Sequence, residues 1–74
     1  MNNERRKALR RWNKKVGELK SELEDILWDE QSAHDNLRDQ FSERAIVSEE
    51  AIEQMEDVVE DLEDVIEAID NIII

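Results

Sequence analysis

Asp35-Asn36-Leu37-Arg38-Asp39-Gln40-Phe41-Ser42 is the most turn-prone stretch of a 74-residue chain that has one glycine and no proline, and its reading decides the fold. Asp, Asn and Ser side chains bond to nearby backbone and so favour turns and helix starts over helix interiors. Ser42 is placed to cap a helix whose first turn carries Glu43. Ser48-Glu49-Glu50 offers a second start if that turn frays.

On either side of this stretch the apolar residues recur in steps of three and four. Before it stand Leu9, Trp12, Val16, Leu19, Leu23, Ile26, Ala33 and Leu37, interrupted by Glu30. After it come Ala45, Ile52, Met55, Val59, Leu62, Ile66, Ile69 and Ile73, interrupted by Ser48. Sustained over four heptads each, these are coiled-coil stripes. Positions 9, 16, 23, 30, 37 and 45, 52, 59, 66, 73 are a; positions 12, 19, 26, 33 and 48, 55, 62, 69 are d. The spacing predicts one all-α domain, an antiparallel two-helix coiled-coil hairpin. Helix one runs over about 3–36, the turn over about 37–42 and helix two over about 43–72.

Folding back near residue 40 matches the layers. Trp12 falls on Ile69, Leu19 on Leu62, Ile26 on Met55 and Ala33 on Ser48. The a layers set Leu9 on Ile73, Val16 on Ile66, Leu23 on Val59, Glu30 on Ile52 and Leu37 on Ala45.

Charge supports the same orientation. Residues 1–20 carry a net +6 and residues 21–74 a net −17, within a total of −11. Each helix is charged against its own macrodipole, and antiparallel docking offsets that cost. Lys20 is expected near Glu63, with Arg10, Arg11 and Lys14 in the field of Glu67 and Asp70.

Helix two has a second apolar face, Val47, Ala51, Val58, Val65, Ala68 and Ile72, on its c and g positions, while its e positions Glu49, Glu56, Glu63 and Asp70 are all acidic. So small a chain buries a modest core. The second face is therefore expected to form a homodimer seam, two hairpins making a four-helix bundle; the alternative is docking on a different protein. Trp12 reads as a core anchor. Trp28, at an outward f position beside Leu27, reads either as a partner hot spot or as the cover of a dimer flank. His34 is expected opposite Glu49 as a surface ion pair.

Several functions are disfavoured. With no cysteine there is no disulfide, Cys-based zinc site or thiol nucleophile. Neither a signal peptide nor a membrane span is discernible, which points to the cytoplasm. Glu30 and His34 lie one turn apart, but a carboxylate-bridged di-metal bundle needs Glu-x-x-His pairs that this chain lacks. Glu49-Glu50-x-x-Glu53 with Glu67-x-x-Asp70 resembles the magnesium signature of all-helical nucleotide pyrophosphatases. Here both halves fall on helix two, with Glu50 and Glu67 ~25 Å apart at 1.5 Å per residue, too far to share an ion. No enzyme, no metal and no cofactor are expected.

The basic residues at 5 to 15 raise nucleic-acid binding through the N-terminal segment, against which the net charge stands. The opposite relation fits the composition better. Rows of carboxylates such as Glu53, Asp57, Glu60, Asp64 and Glu67 resemble a phosphate backbone and suit the basic groove of a nucleic-acid enzyme.

The runs Asp29-Glu30-Gln31-Ser32-Ala33-His34-Asp35-Asn36-Leu37, Ser42-Glu43-Arg44, Glu49-Glu50-Ala51-Ile52 and Glu67-Ala68-Ile69-Asp70, with Arg5-Arg6-Lys7 near the start, resemble short acidic proteins of tailed phages and prophages. This sequence departs from them at Arg38, where they place a proline, and at Ala45, where they have a glycine. The resemblance implies a phage-encoded accessory protein acting in the host cytoplasm, with an anti-defence inhibitor (anti-CRISPR or anti-restriction) as the leading role. It implies no functional residue. The expected partner residues are Trp28 and the acidic row; a structural or assembly adaptor using Val58, Val65 and Ile72 is the alternative.

Overall fold

The computed structural model, covering residues 1–74, is a helical hairpin of two long helices and no strands: α1, Asn3–Asp35, and α2, Glu43–Ile73. Both form because nothing interrupts them. No proline is present, and the one glycine, Gly17, sits mid-helix without positive φ. Each start is capped. The Asn2 side chain accepts from the Arg5 amide at 2.8 Å, and Ser42 Oγ accepts from the Ala45 amide at 3.1 Å, the cap expected from the sequence.

The seven residues between the helices reverse the chain through side-chain bonding. Asp39 Oδ1 accepts from the Phe41 amide at 2.9 Å, and the Ser42 hydroxyl donates to the Asp39 carbonyl at 2.9 Å. The Gln40 amide donates to the carbonyls of His34 and Leu37, at 3.0 and 2.8 Å. The bond to His34 satisfies a carbonyl in the last turn of α1, and the others satisfy carbonyls of the turn itself. No residue of the turn adopts positive φ, so glycine is not required there.

The hairpin is a rod of 56 × 15 × 12 Å. Its core is thin. Val16, Ala45 and Ile73 are the buried apolar residues, Asn13 and Ser48 the buried polar ones, and no large side chain is fully enclosed. Helix α2 presents the expected stripe, with Ala45, Ile52, Met55, Val59, Leu62, Ile66, Ile69 and Ile73 all buried or half-buried.

Helix α1 does not. Its a positions Leu9, Val16, Leu23 and Glu30 face α2, as does Leu37 just beyond its end, but the residues beside them are the e positions Asn13, Lys20, Leu27 and His34, all buried or half-buried. The expected d positions are turned out: Trp12, Leu19 and Ile26 are 48%, 58% and 57% exposed, and Ala33 is exposed as well. The cause lies in polar partners along one flank. Asn13 Nδ2 donates to the Ile66 carbonyl and to Asp70 Oδ1, both at 3.0 Å. Lys20 Nζ reaches Glu63 at 3.1 Å, and Gln31 Nε2 donates to Glu56 at 3.2 Å. In an antiparallel pair the e positions of both helices lie on the same side, so these bonds roll α1 toward that side and lift its d row away.

The roll also re-pairs the two interruptions. Glu30 meets Ser48, not Ile52, with Ser48 Oγ donating to Glu30 Oε1 at 2.7 Å. The two residues that break the two stripes satisfy each other.

Candidate interaction surface

The roll divides the hairpin into unlike flanks. The e flank is a polar zipper of Asn13–Asp70, Lys20–Glu63 and Gln31–Glu56. Lys20 also contacts Glu24 on its own helix at 3.4 Å. Its ammonium pKa is raised above 10.5, chiefly by the hydrogen bond to Glu63, against a smaller desolvation effect.

The opposite flank is apolar and open. The d row of α1 (Trp12, Leu19, Ile26, Ala33) runs beside the g row of α2 (Ala51, Val58, Val65, Ile72), because antiparallel geometry places both on the side away from the e positions. Trp12 projects at one end, where it borders a shallow apolar recess with Ala8, Leu9 and Ile69. At the loop end the small residues Ala33, Ser48 and Ala51 line a concavity with Leu37 and Val47, rimmed by the charged side chains of Glu30, Glu43 and Arg44. Of the expected dimer-face residues, Val47, Val58, Val65 and Ile72 are 59%, 46%, 37% and 50% exposed, Ala68 is exposed and Ala51 half-buried. The heptad spacing points to the α2 half of this face; it assigns the α1 half, Trp12, Leu19, Ile26 and Ala33, to the seam, whereas all four are exposed.

The remaining expected positions lie elsewhere. Trp28 is 67% exposed on the outer face of α1, across the helix from Trp12, Leu19 and Ile26. Leu27 is half-buried beside the seam, so Leu27 and Trp28 do not cover the apolar flank. Glu53, Asp57, Glu60, Asp64 and Glu67 are all exposed along the outer b and f positions of α2, and none has a cation within 4 Å. Trp28 and this acidic row therefore stand on different helices and are not brought together.

Two electrostatic expectations are corrected. His34 forms no ion pair with Glu49; it is half-buried, and its Nδ1 lacks a hydrogen-bond partner, because the roll carries position 34 toward the seam. Arg10, Arg11 and Lys14 make no ion pair with Glu67 or Asp70: Asn13 occupies Asp70, and the basic side chains stay exposed. Lys7, Arg10 and Arg11 border a shallow polar recess with Glu4. Phe41, 91% exposed at the loop, is an aromatic the sequence treated only as turn.

No group of three or more His, Asp or Glu side chains converges as a metal-binding set. Neither helix is long and apolar enough to cross a membrane. No family model matches the chain, and neither a curated protein nor a solved structure matches it significantly.

Proposed function

We propose that this protein is a non-catalytic, self-associating interaction module, in which two hairpins pack their apolar flanks to form a four-helix bundle. The supporting observation is the continuous exposed row formed by Trp12, Leu19 and Ile26 with Val58, Val65 and Ile72. Area supports the same reading. A compact monomer of 8.8 kDa exposes about 4,800 Å². The hairpin exposes 5982 Å², an excess on the order of 1,200 Å² against roughly 800 Å² per partner in a standard interface. Sedimentation of the parent chain should give twice the 8.8 kDa chain mass. The pair Leu19→Lys and Val58→Lys, placed in the middle of the flank, should return it to a monomer that keeps its helicity. A parent chain that is monomeric at high concentration overturns the proposal.

A second reading concerns what such a bundle does. Glu53, Asp57, Glu60, Asp64 and Glu67 form an exposed row without cation partners, pointing away from the apolar flank and free in a dimer. With the likeness to short acidic phage proteins, this supports a phage-type inhibitor, anti-CRISPR or anti-restriction, that occludes the basic groove of a nucleic-acid enzyme. Capture from host lysate should recover such an enzyme, and binding should weaken steeply between low and moderate salt. Salt-insensitive capture lost with Val65→Lys would instead identify an assembly adaptor docking on the apolar flank. A retarded band in a gel-shift would favour the basic N-terminal segment as a nucleic-acid site.

A further inference from the structure

The apolar flank has a direction, and we infer that it receives a second copy of the chain in one orientation: antiparallel, about a two-fold axis perpendicular to the rod, with Trp12 of each copy seated in the loop-end concavity of the other. This inference rests on the self-association reading above. Two face-to-face arrangements are available to a pair of hairpins. With the axis along the rod, α1 lies against α2 of the second copy and both loops point the same way. With the axis across the rod, α1 lies against α1, α2 against α2, and the loops point apart.

Side-chain volume selects the second. Centred between residues 22 and 23, the antiparallel pair sets Trp12 against Ala33 of the second copy and Leu19 against Ile26. On α2 the matching centre sets Ala51 against Ile72 and Val58 against Val65. Lys20–Glu63 and Asn13–Asp70 fix the levels of the two helices, and the two centres agree within about one residue, ~1.5 Å of rise. The bulkiest side chains therefore meet the smallest at both ends. In the parallel arrangement Trp12 crowds Ile72 at one end, while the concavity around Ala33 and Ala51 faces its own copy and leaves a void.

Charge selects the same orientation independently. The terminal half of the rod, residues 1–22 and 61–74, holds eight carboxylates and eight Lys or Arg, a net of zero. The loop half, residues 23–60, holds thirteen carboxylates against two arginines, a net of −11. Parallel packing lays the two −11 halves side by side. Antiparallel packing lays each on a neutral half and sets their centres about half the 56 Å rod apart, beyond a Debye length of ~8 Å at physiological salt. It also places Lys15 opposite Asp29 of the second copy along the rim.

The chain has no cysteine, so introduced ones report without background. An equimolar mixture of Lys15→Cys and Asp29→Cys chains should form the 15–29 disulfide about a hundredfold faster than chance encounter at micromolar concentration, and faster than either variant alone. Trp12→Ala and Ala33→Trp should each weaken the dimer, and the double substitution should restore it, because positions 12 and 33 meet only in the antiparallel pair. Circular dichroism checks that each variant remains helical. A mixture of Lys15→Cys and Ala68→Cys chains that crosslinks faster than the 15–29 mixture, or a dimer that the double swap does not rescue, overturns the orientation and leaves self-association standing. A parent chain that is monomeric in sedimentation overturns both.

Discussion

Ser48→Ala removes the hydroxyl that donates to Glu30 at 2.7 Å, from a residue only 8% exposed. A hydrogen bond to a charged group contributes ~1.5–3 kcal/mol. Glu30 is half-buried, so water recovers part of that, and the expected loss is about 1 kcal/mol. Glu30→Leu completes the α1 stripe. With roughly 60 Å² of added apolar burial at ~25 cal/mol per Å², it contributes about 1.5 kcal/mol, offset in part by the orphaned Ser48 hydroxyl. The double substitution removes that offset, because replacing both members of a buried polar pair by apolar groups is neutral to stabilising. It should be more stable than the parent by about 1–2 kcal/mol, with a coupling between the sites of about 1–2 kcal/mol. Urea unfolding followed by helical circular dichroism, at one fixed protein concentration, measures all four chains. The heptad register without the roll sets Ser48 on Ala33 and predicts no coupling to residue 30. A cycle that closes additively within ~0.3 kcal/mol would refute the observed packing.

Gly17→Ala should stabilise by ~0.5–1 kcal/mol, since the glycine is mid-helix and an added Cβ meets nothing within 4 Å; an unchanged urea midpoint would count against it. Ser42→Ala should lower stability by about 1 kcal/mol through loss of the α2 cap, and Ser42→Asp should preserve it, both read in the same unfolding assay. The Lys20 ammonium has a raised pKa, so its contribution is complete below 10.5 and is lost as pH rises through the folded value. The stability difference between the parent and Lys20→Met should therefore be flat through neutral pH and shrink only in strongly alkaline buffer; a difference that vanishes near pH 7 contradicts the assignment. Because the net charge of −11 resides in the loop half, raising salt from low to moderate should raise the melting temperature, and charge-reversing Glu50→Lys should reduce that salt effect.

Much of this architecture is legible before any coordinates. Ser42 announces the start of α2, the residues around Asp39 announce the turn, and the α2 stripe is read in full. What the heptad template does not register is rotation about a helix axis. It treats Asn13 and Lys20 as flank because they are polar, whereas Asn13 is buried and Lys20 half-buried through bonds to Asp70, Ile66 and Glu63. The signal was present in the e positions, where Asn13 and Lys20 stand level with Asp70 and Glu63. That spacing is enough to pair Lys20 with Glu63, but not to show the accompanying roll. His34 and Trp12 depart from the heptad expectation for that one reason, the first lying further inward and the second further outward. Glu30 and Ser48 were recognised as irregularities in separate stripes, and their pairing needed the relative rotation of the two helices.

The width of the apolar stripes connects the roll to assembly. A coiled-coil seam needs a and d alone, whereas a helix in a bundle shows a wider stripe of roughly 100° or more. On α1 the positions facing either the partner helix or the open flank run from d through a to e, an arc of about 100° at 100° per residue. On α2 the corresponding arc runs from g through d to a, again about 100°. Neither arc fits against a single neighbour. If the hairpin were the whole assembly, Trp12, Leu19 and Ile26 would gain most by turning inward, where polar e residues now sit beside the seam. Their outward placement is accounted for when a second apolar flank covers them. The same bonds that hold Asn13 and Lys20 against α2 then act twice, closing one edge of the hairpin and presenting the other. Substituting Asn13 by a residue that cannot reach Asp70 should therefore weaken the dimer as well as the hairpin, although position 13 lies outside the dimer face.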